Sequence, residues 1–154
     1  MDEQELLKEI EDLDHSITTK KLFTRGLKES DWETLVVWWD AWPDWTTPPR
    51  GFLPENGTGG LMVEKDGIPI IAGFIYETNS DAVLFEWVVS NPNYREKDRQ
   101  DAVEKLLIDA ENKIKEMGYK RVFSIGRTKN LINTHKKLGW SVDDTPSHEI
   151  IKNL

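Results

Sequence analysis

The sequence predicts an α+β fold, a mixed and mostly antiparallel sheet flanked by helices, with one extra helix at the N-terminus. Two observations lead there. The stretch "GLMVEKDGIPIIAGFIYETNSDAVLFEWVVSNP" reads as three strands joined by turns, and the strands on either side of it are separated by single helices. Runs of strands with isolated helices between them indicate α+β architecture rather than a doubly wound sheet. At 154 residues the chain is expected to form one main domain, residues 20–154, preceded by an acidic helical extension, residues 1–19.

Taken in order, residues 3–14 read as a helix, because Leu6, Leu7, Ile10 and Leu13 fall on one face. "KLFTRGL" (21–27) reads as a short strand. A second helix comes next in "ESDWETLVVWWDAW", with Ser30 or Asp31 as N-cap and Glu33 placed for a capping box with Ser30. Trp32, Leu35, Val36 and Trp39 form its apolar face, and Pro43 ends it. From Trp42 to Gly60 the chain is loop, rich in proline and glycine yet holding large aromatics, and loops of that length in a compact domain are usually functional or mobile. Asp66-Gly67 and Asn79-Ser80-Asp81 are the turns of the three-stranded run, giving antiparallel strands at 60–65, 69–77 and 82–90.

The next helix is strongly patterned. Val103, Leu106, Leu107, Ala110, Ile114 and Met117 recur at helical spacing, and Gly118 supplies the stop. "YKRVFSIG" (119–126) reads as a strand and "NLINTHKKLG" as a short helix closed by Gly139. "WSVDD" and "HEIIKNL" read as a closing pair of strands.

Composition excludes several kinds of chemistry. There is no cysteine, which removes disulfides, thiolate metal sites and cysteine nucleophiles. His15, His135 and His148 are far apart, so no zinc site is expected. No apolar run reaches the roughly 18–20 residues of a membrane span, and the acidic start "MDEQELLKEIEDLDHS" lacks the basic opening of a signal or transit peptide, so a soluble, cytoplasmic protein is expected. The net charge of −8 argues against general nucleic-acid binding. The charge is unevenly spread: residues 1–60 carry 13 acidic and 6 basic side chains, whereas residues 95–137 carry 12 basic and 7 acidic ones. That separation suits an anionic ligand on one face and a cation on another, or simply two solvated faces.

Two motifs carry a resemblance. "VVSNPNYREKDRQDAVEKLL" runs from a strand through Pro92, Tyr94, Arg95 and Lys97 into a helix with Ala102, Leu106 and Leu107. Further on, Asn130 precedes a short helix ending in "HKKLGW", His135 to Trp140. Together, over residues 21–154, these resemble the GNAT superfamily of N-acetyltransferases, whose pattern has Pro-x-Tyr-Arg, a glycine-rich turn, a helix with Ala-Leu-Leu, and later Tyr-x-Lys-Leu-Gly-Phe. The resemblance implies acetyl-coenzyme A as co-substrate, lying in a splay between the fourth and fifth core strands, here Leu84–Ser90 and Arg121–Ile125. Its pantetheine arm would pair with backbone at Val88 and Val89 and its pyrophosphate would sit at the following helix N-terminus, where unpaired amides and the helix dipole favour anions.

The family glycines fall on Glu96, Asp98 and Gln100. A residue other than glycine loses about 1–2 kcal/mol in a left-handed conformation, and an Asp98 carboxylate at the helix start would repel a pyrophosphate. Arg95, Lys97 and Arg99 offer side-chain cations in compensation, with Gln100 and Asn130 as further contacts. Coenzyme binding either persists on a changed loop or is lost.

For the chemistry, the resemblance implies Glu86 as general base and His135, at the position of a family tyrosine, as general acid. Glu86 lies in the apolar strand "AVLFEWVV", where a carboxylate must be paired or functional. His135, beside Lys136 and Lys137, is otherwise a surface histidine, and Asn130 is otherwise a helix N-cap. Trp42, Trp45 and Phe52 with Asp40 and Asp44 would suit a cationic amine, in the region where the family builds its acceptor pocket. Some of these tryptophans are equally read as core or as a protein-binding surface. The function implied is acetyl transfer to a primary amine, of a small molecule or a protein, by direct attack. The alternative is a catalytically degenerate domain of this kind with a binding or structural role, by analogy with small virus-encoded proteins. A homodimer is compatible with either.

Overall fold

In a computed structural model of the protein, residues 2–9 and 22–154 are described. The first helix, α1, covers 3–9; the rest of the helix expected to residue 14 and the boundary expected at 19/20 lie outside the described residues. Five strands, β1 (Leu22–Gly26), β2 (Gly60–Lys65), β3 (Ile68–Tyr76), β4 (Ala82–Ser90) and β5 (Arg121–Phe123), form one sheet in the order β1-β2-β3-β4-β5. All neighbours pair antiparallel except β4 and β5, which run parallel. Helices α2 (Asp31–Ala41), α3 (Arg99–Glu116) and α4 (Lys129–Lys137) complete the fold. The mixed, mostly antiparallel sheet flanked by helices is the architecture that the sequence predicts.

Local chemistry explains most elements. Asp66 (φ 52°) and Gly67 (φ 79°) take the left-handed pair of conformations that a two-residue hairpin turn requires, which joins β2 to β3. In α3, Ala102, Val103, Leu106, Leu107, Ala110 and Ile114 are buried against one face of the sheet with Val63, Ile71, Val83 and Phe85. Burial of Val103, Leu106, Leu107 and Ile114 contributes about 6–12 kcal/mol as an upper figure, at about 1.5–3 each. That packing fixes where α3 begins, beside the end of β4. On the opposite face α2 buries Leu35, Trp38 and Trp39 against Met62, Ala72, Phe74 and Val89. Adjacent residues Met62 and Val63 serve opposite faces, as the two-residue period of a strand demands.

Three expectations are corrected. The region 119–126 forms a strand only at Arg121–Phe123, and residues 140–154 form no strand. Ile150 and Ile151 are exposed (94% and 64%), so the apolar pair that suggested a strand has no sheet face to cover. The capping box at α2 is absent: Ser30 is the N-cap but makes no side-chain cap bond. Asp31 instead accepts two bonds from Arg25 at 2.7 and 2.9 Å and one from the Lys28 N–H at 2.9 Å. Burial alone would raise the Asp31 carboxyl, but Arg25 holds it below the ordinary range.

β4 is distorted near its middle. Between the pairs Ala72↔Val89 and Phe74↔Glu86, β4 carries one more residue than β3, and Trp87 has φ 57°. This is a β-bulge, which bends and twists the strand that carries it. Gly73, within the irregular step, leaves room for Phe85: a Cβ there would lie 2.3 Å from the ring.

Candidate active site

β4 and β5 pair from Ala82↔Arg121 to Leu84↔Phe123 and then part. Beyond that point the edge of β4 away from β3 has no strand partner among the described residues. Glu86 props the strands where they separate: its carboxylate accepts the Ile125 N–H and so replaces a missing ladder bond. A cleft of about 590 Å³ opens in the gap. Its walls come from Trp87, Val88, Val89 and Ser90 of β4, Ser124, Ile125, Arg127 and Thr128 beyond β5, the start of α3 and the start of α4.

At α3 the cleft meets Lys97, Arg99 and Gln100. Burial and the neighbouring Arg95 lower the pKa of Arg99, an arrangement that an anion would relieve. Among the described residues, the first-turn N–H groups of Gln100 and Asp101 donate to no protein acceptor. Gln100 Nε2 donates to Thr134 Oγ1 at 2.9 Å and Asn130 Nδ2 donates to Gln100 Oε1 at 3.3 Å, so α3 and α4 hold each other's polar side chains at the cleft. Thr128, not Asn130, caps α4, accepting the Leu131 N–H at 3.2 Å.

The glycine-poor turn is not strained. No residue from Asn91 to Gln100 has a positive φ. Nor is Asp98 free to repel an anion: it is 7% exposed, and its oxygens take Lys65 Nζ and the Tyr94 hydroxyl, each at 2.6 Å. Burial would raise this carboxyl, yet Lys65 and Tyr94 hold it below the ordinary range, while burial and Asp98 push the Tyr94 hydroxyl up.

At its aromatic end the cleft is lined by Trp42, Trp45, Trp87 and Arg127. Trp42 Nε1 donates to Ser90 O at 2.9 Å. The Arg127 guanidinium lies 5.7 Å from the Trp45 ring centre and 5.4 Å from that of Trp87, close enough for cation–π attraction. Its Nη1 is 3.1 Å from Glu86, and its Nη2 pairs with Glu149. The cation among these tryptophans is thus one of the protein's own.

Of the residues singled out in the sequence, Val88, Val89, Lys97, Arg99, Gln100, Asn130, Trp42 and Trp45 line this one cleft. Glu86 is 6% exposed and reaches the cleft only through Arg127 and Ile125. Arg95 is exposed and lines nothing here. Phe52 stands behind Trp87, ring centres 5.8 Å apart. Asp40 accepts the Thr47 hydroxyl at 2.8 Å and Asp44 is exposed, both outside the cleft. His135 is not a surface residue: it is 5% exposed, Nδ1 lies 2.7 Å from Leu131 O, and the ring meets Trp140 edge-on at 4.7 Å. It lines an adjoining cleft with residues 140–147, which shares Ser124 and Ile125 with this one. Sequence reasoning missed Arg127 and Lys65. A buried Glu86 signals the need for a partner, but nothing local selects Arg127.

No family model matches the sequence, and no curated protein matches it. The fold is nevertheless that of the GNAT N-acetyltransferases. An aminoglycoside acetyltransferase from an uncultured soil metagenomic sample superposes with TM-score 0.63 at 12% identity, covering 88% of this chain and 98% of that one. The ribosomal-protein-S18-alanine N-acetyltransferase of Escherichia coli gives 0.61 at 14% identity, covering 77% and 76%. N-acetylglutamate synthase of Neisseria gonorrhoeae, solved with coenzyme A and L-arginine, gives 0.64 at 12% identity; 82% of this chain is covered, but only 29% of that longer one.

Proposed function

We propose that the protein transfers an acetyl group from acetyl-coenzyme A to a primary amine by direct attack. The observation that carries this is the parting of β4 and β5 after Leu84 and Phe123, which leaves an unpaired strand edge leading to the cations and free amides at the start of α3. An extended chain ending in phosphates fits that sequence of groups: the β4 edge at Val88 and Val89 for the chain, Lys97, Arg99 and the α3 amides for the phosphates, and Gln100 and Asn130 for further polar contacts.

The coenzyme would supply the acetyl group already activated as a thioester. The amine nitrogen then forms the amide bond as the carbon–sulfur bond breaks, and the proton it loses balances the one taken by the thiol. Among the described residues, no Asp, Glu, His or Tyr lines the cleft. Both Glu86 oxygens are engaged, one by the Ile125 N–H and one by Arg127. Glu86 is therefore assigned to orienting Arg127 and propping the strands, and the amine enters unprotonated. His135, packed edge-on against Trp140 in the adjoining cleft and absent from the lining of this one, is assigned no proton transfer in this scheme. Trp42, Trp45 and Trp87 form the acceptor wall and exclude water from the reacting end.

Thermal denaturation with acetyl-coenzyme A tests the proposal. Ligand at 100-fold its dissociation constant adds about 2.7 kcal/mol of stability, or about 5–10 °C in Tm for a chain of this size. No shift at millimolar ligand would overturn it. A shift without thiol release from any amine would leave a coenzyme-binding domain without catalysis.

A further inference from the structure

The geometry points to an acceptor that carries a carboxylate beside its amine, read by Arg127, with Glu149 holding that place until the acceptor arrives. This deepens the acetyl-transfer assignment and rests on it.

Arg127 has two carboxylate partners of different character. Glu86 is buried, and its other oxygen is held by a backbone amide, so it fixes one edge of the guanidinium permanently. Glu149 comes from a stretch with neither helix nor strand, and its side chain is 42% exposed. Among the described residues, the hydrogen bonds and ion pairs give 148–154 this single partner. The segment's apolar side chains, Ile150, Ile151 and Leu154, are exposed and add no anchor. A half-exposed ion pair of this kind contributes little, so a competing anion readily replaces it.

Charge favours the same conclusion. Arg127 already faces both the Trp45 and the Trp87 ring, where an ammonium would be attracted. With that cation in place, an unprotonated amine gains no ionic contact there unless it carries an anionic group. An amine that brings its own carboxylate would exchange one anion for another at Nη2, with a planar fork suited to carboxylate oxygens. The amine would then point along the cleft wall. The carboxylate is not consumed: the acetyl group moves to nitrogen, and the amine proton is balanced at the thiol.

The test pairs each of the twenty amino acids with its decarboxylated amine, such as L-leucine with isoamylamine. With coenzyme A present, the ¹⁵N resonance of Arg127 Nε is followed by NMR during titration, and acetyl transfer from acetyl-coenzyme A is followed separately by thiol release. The expected result is an Arg127 shift with at least one amino acid and none with its amine, and a kcat/KM preference of at least about tenfold for the amino acid. Glu149→Gln should lower KM for that amino acid about two- to fivefold and leave the amine unchanged. Arg127→Gln should abolish the preference; should that variant not fold, the Glu149→Gln result stands alone. Equal use of amino acids and amines, or silence of Arg127 across all twenty, overturns the inference while leaving acetyl transfer intact. Failure of acetyl-coenzyme A to bind removes both.

Discussion

Removing the two cations at the start of α3 gives the sharpest test of where the phosphates bind. In the double variant Lys97→Gln/Arg99→Gln, both lining cations become neutral amides of similar length. Arg99 is partly buried, so a charge-assisted bond from it is worth about 1.5–3 kcal/mol. Lys97 is exposed and screened, worth roughly 0.2–1 kcal/mol. Together they sum to about 2–4 kcal/mol, a loss in coenzyme affinity of about a hundredfold. Isothermal calorimetry with coenzyme A measures this directly. Repeating it at higher salt should weaken the native protein more than the variant, since its surface charges are the ones screened. Arg95→Gln serves as the contrast: Arg95 is exposed and outside the cleft, so its affinity should stay within about threefold. A double variant that binds coenzyme A within threefold of the native protein would refute this placement of the phosphates.

Gly73→Ala should destabilise, because the new Cβ would lie 2.3 Å from the fully buried Phe85 ring. Overpacking of about 1–3 kcal/mol predicts a Tm lower by roughly 3–10 °C, whereas Gly26→Ala, with nothing within 4 Å, should be nearly neutral; equal effects would contradict the packing. Asp98, held below its ordinary range, stabilises the fold fully above an unfolded value of about 3.9, and that contribution is lost as pH falls through its lower folded value. Urea midpoints of Asp98→Asn should therefore converge on those of the native protein as pH drops below about 4, and parallel curves would contradict the pairing. With no Asp, Glu, His or Tyr lining the cleft among the described residues, kcat/KM should rise in proportion to the unprotonated amine, and Glu86→Gln should keep that slope. A pH limb present in the native protein and absent from Glu86→Gln would restore Glu86 as the base.

The legible part of the sequence is mostly local. The α3 spacing and the Asp66-Gly67 turn depend on residues within one element, and both form as expected. Of the segment whose register carries the resemblance, Lys97 and Gln100 line the cleft, and Pro92 and Tyr94 do not. Where a local rule meets a distant partner, the partner wins. Local rules assign Asp31 to a helix cap, but Arg25, bonded also to Glu64 at 3.0 Å, captures it. They turn Asp98 toward a phosphate, but Lys65, 33 residues earlier, makes it an ion pair. The closing strands do not form because a strand needs a neighbouring edge, and β5 is regular for only three residues. Arg127 does not stand out among 20 basic residues, since its partners Glu86 and Glu149 are brought together only by the fold.

The glycine-poor turn separates two jobs that glycine performs at a phosphate-binding junction. One is torsional, and here it is not needed, since the chain from Asn91 to Gln100 turns entirely through negative φ. The other is close approach, which depends on what the side chains do. Asp98 faces inward to Lys65 and Tyr94, and Gln100 is drawn toward α4 by Thr134 and Asn130. Asn91 anchors the start of the turn on β3, its N–H to Ile70 O at 2.7 Å and its Nδ2 to Pro69 O at 3.0 Å. Asp98 and Gln100, two of the replacement side chains, are thus tied to neighbouring elements rather than left over the helix start. A glycine loop must lose conformational freedom when a ligand orders it; a turn held at both ends has lost that freedom on folding. If the cleft takes phosphates as proposed, side-chain clamps and cations substitute in this way for backbone permissiveness, provided Lys65, Tyr94, Thr134 and Asn130 remain to hold the turn.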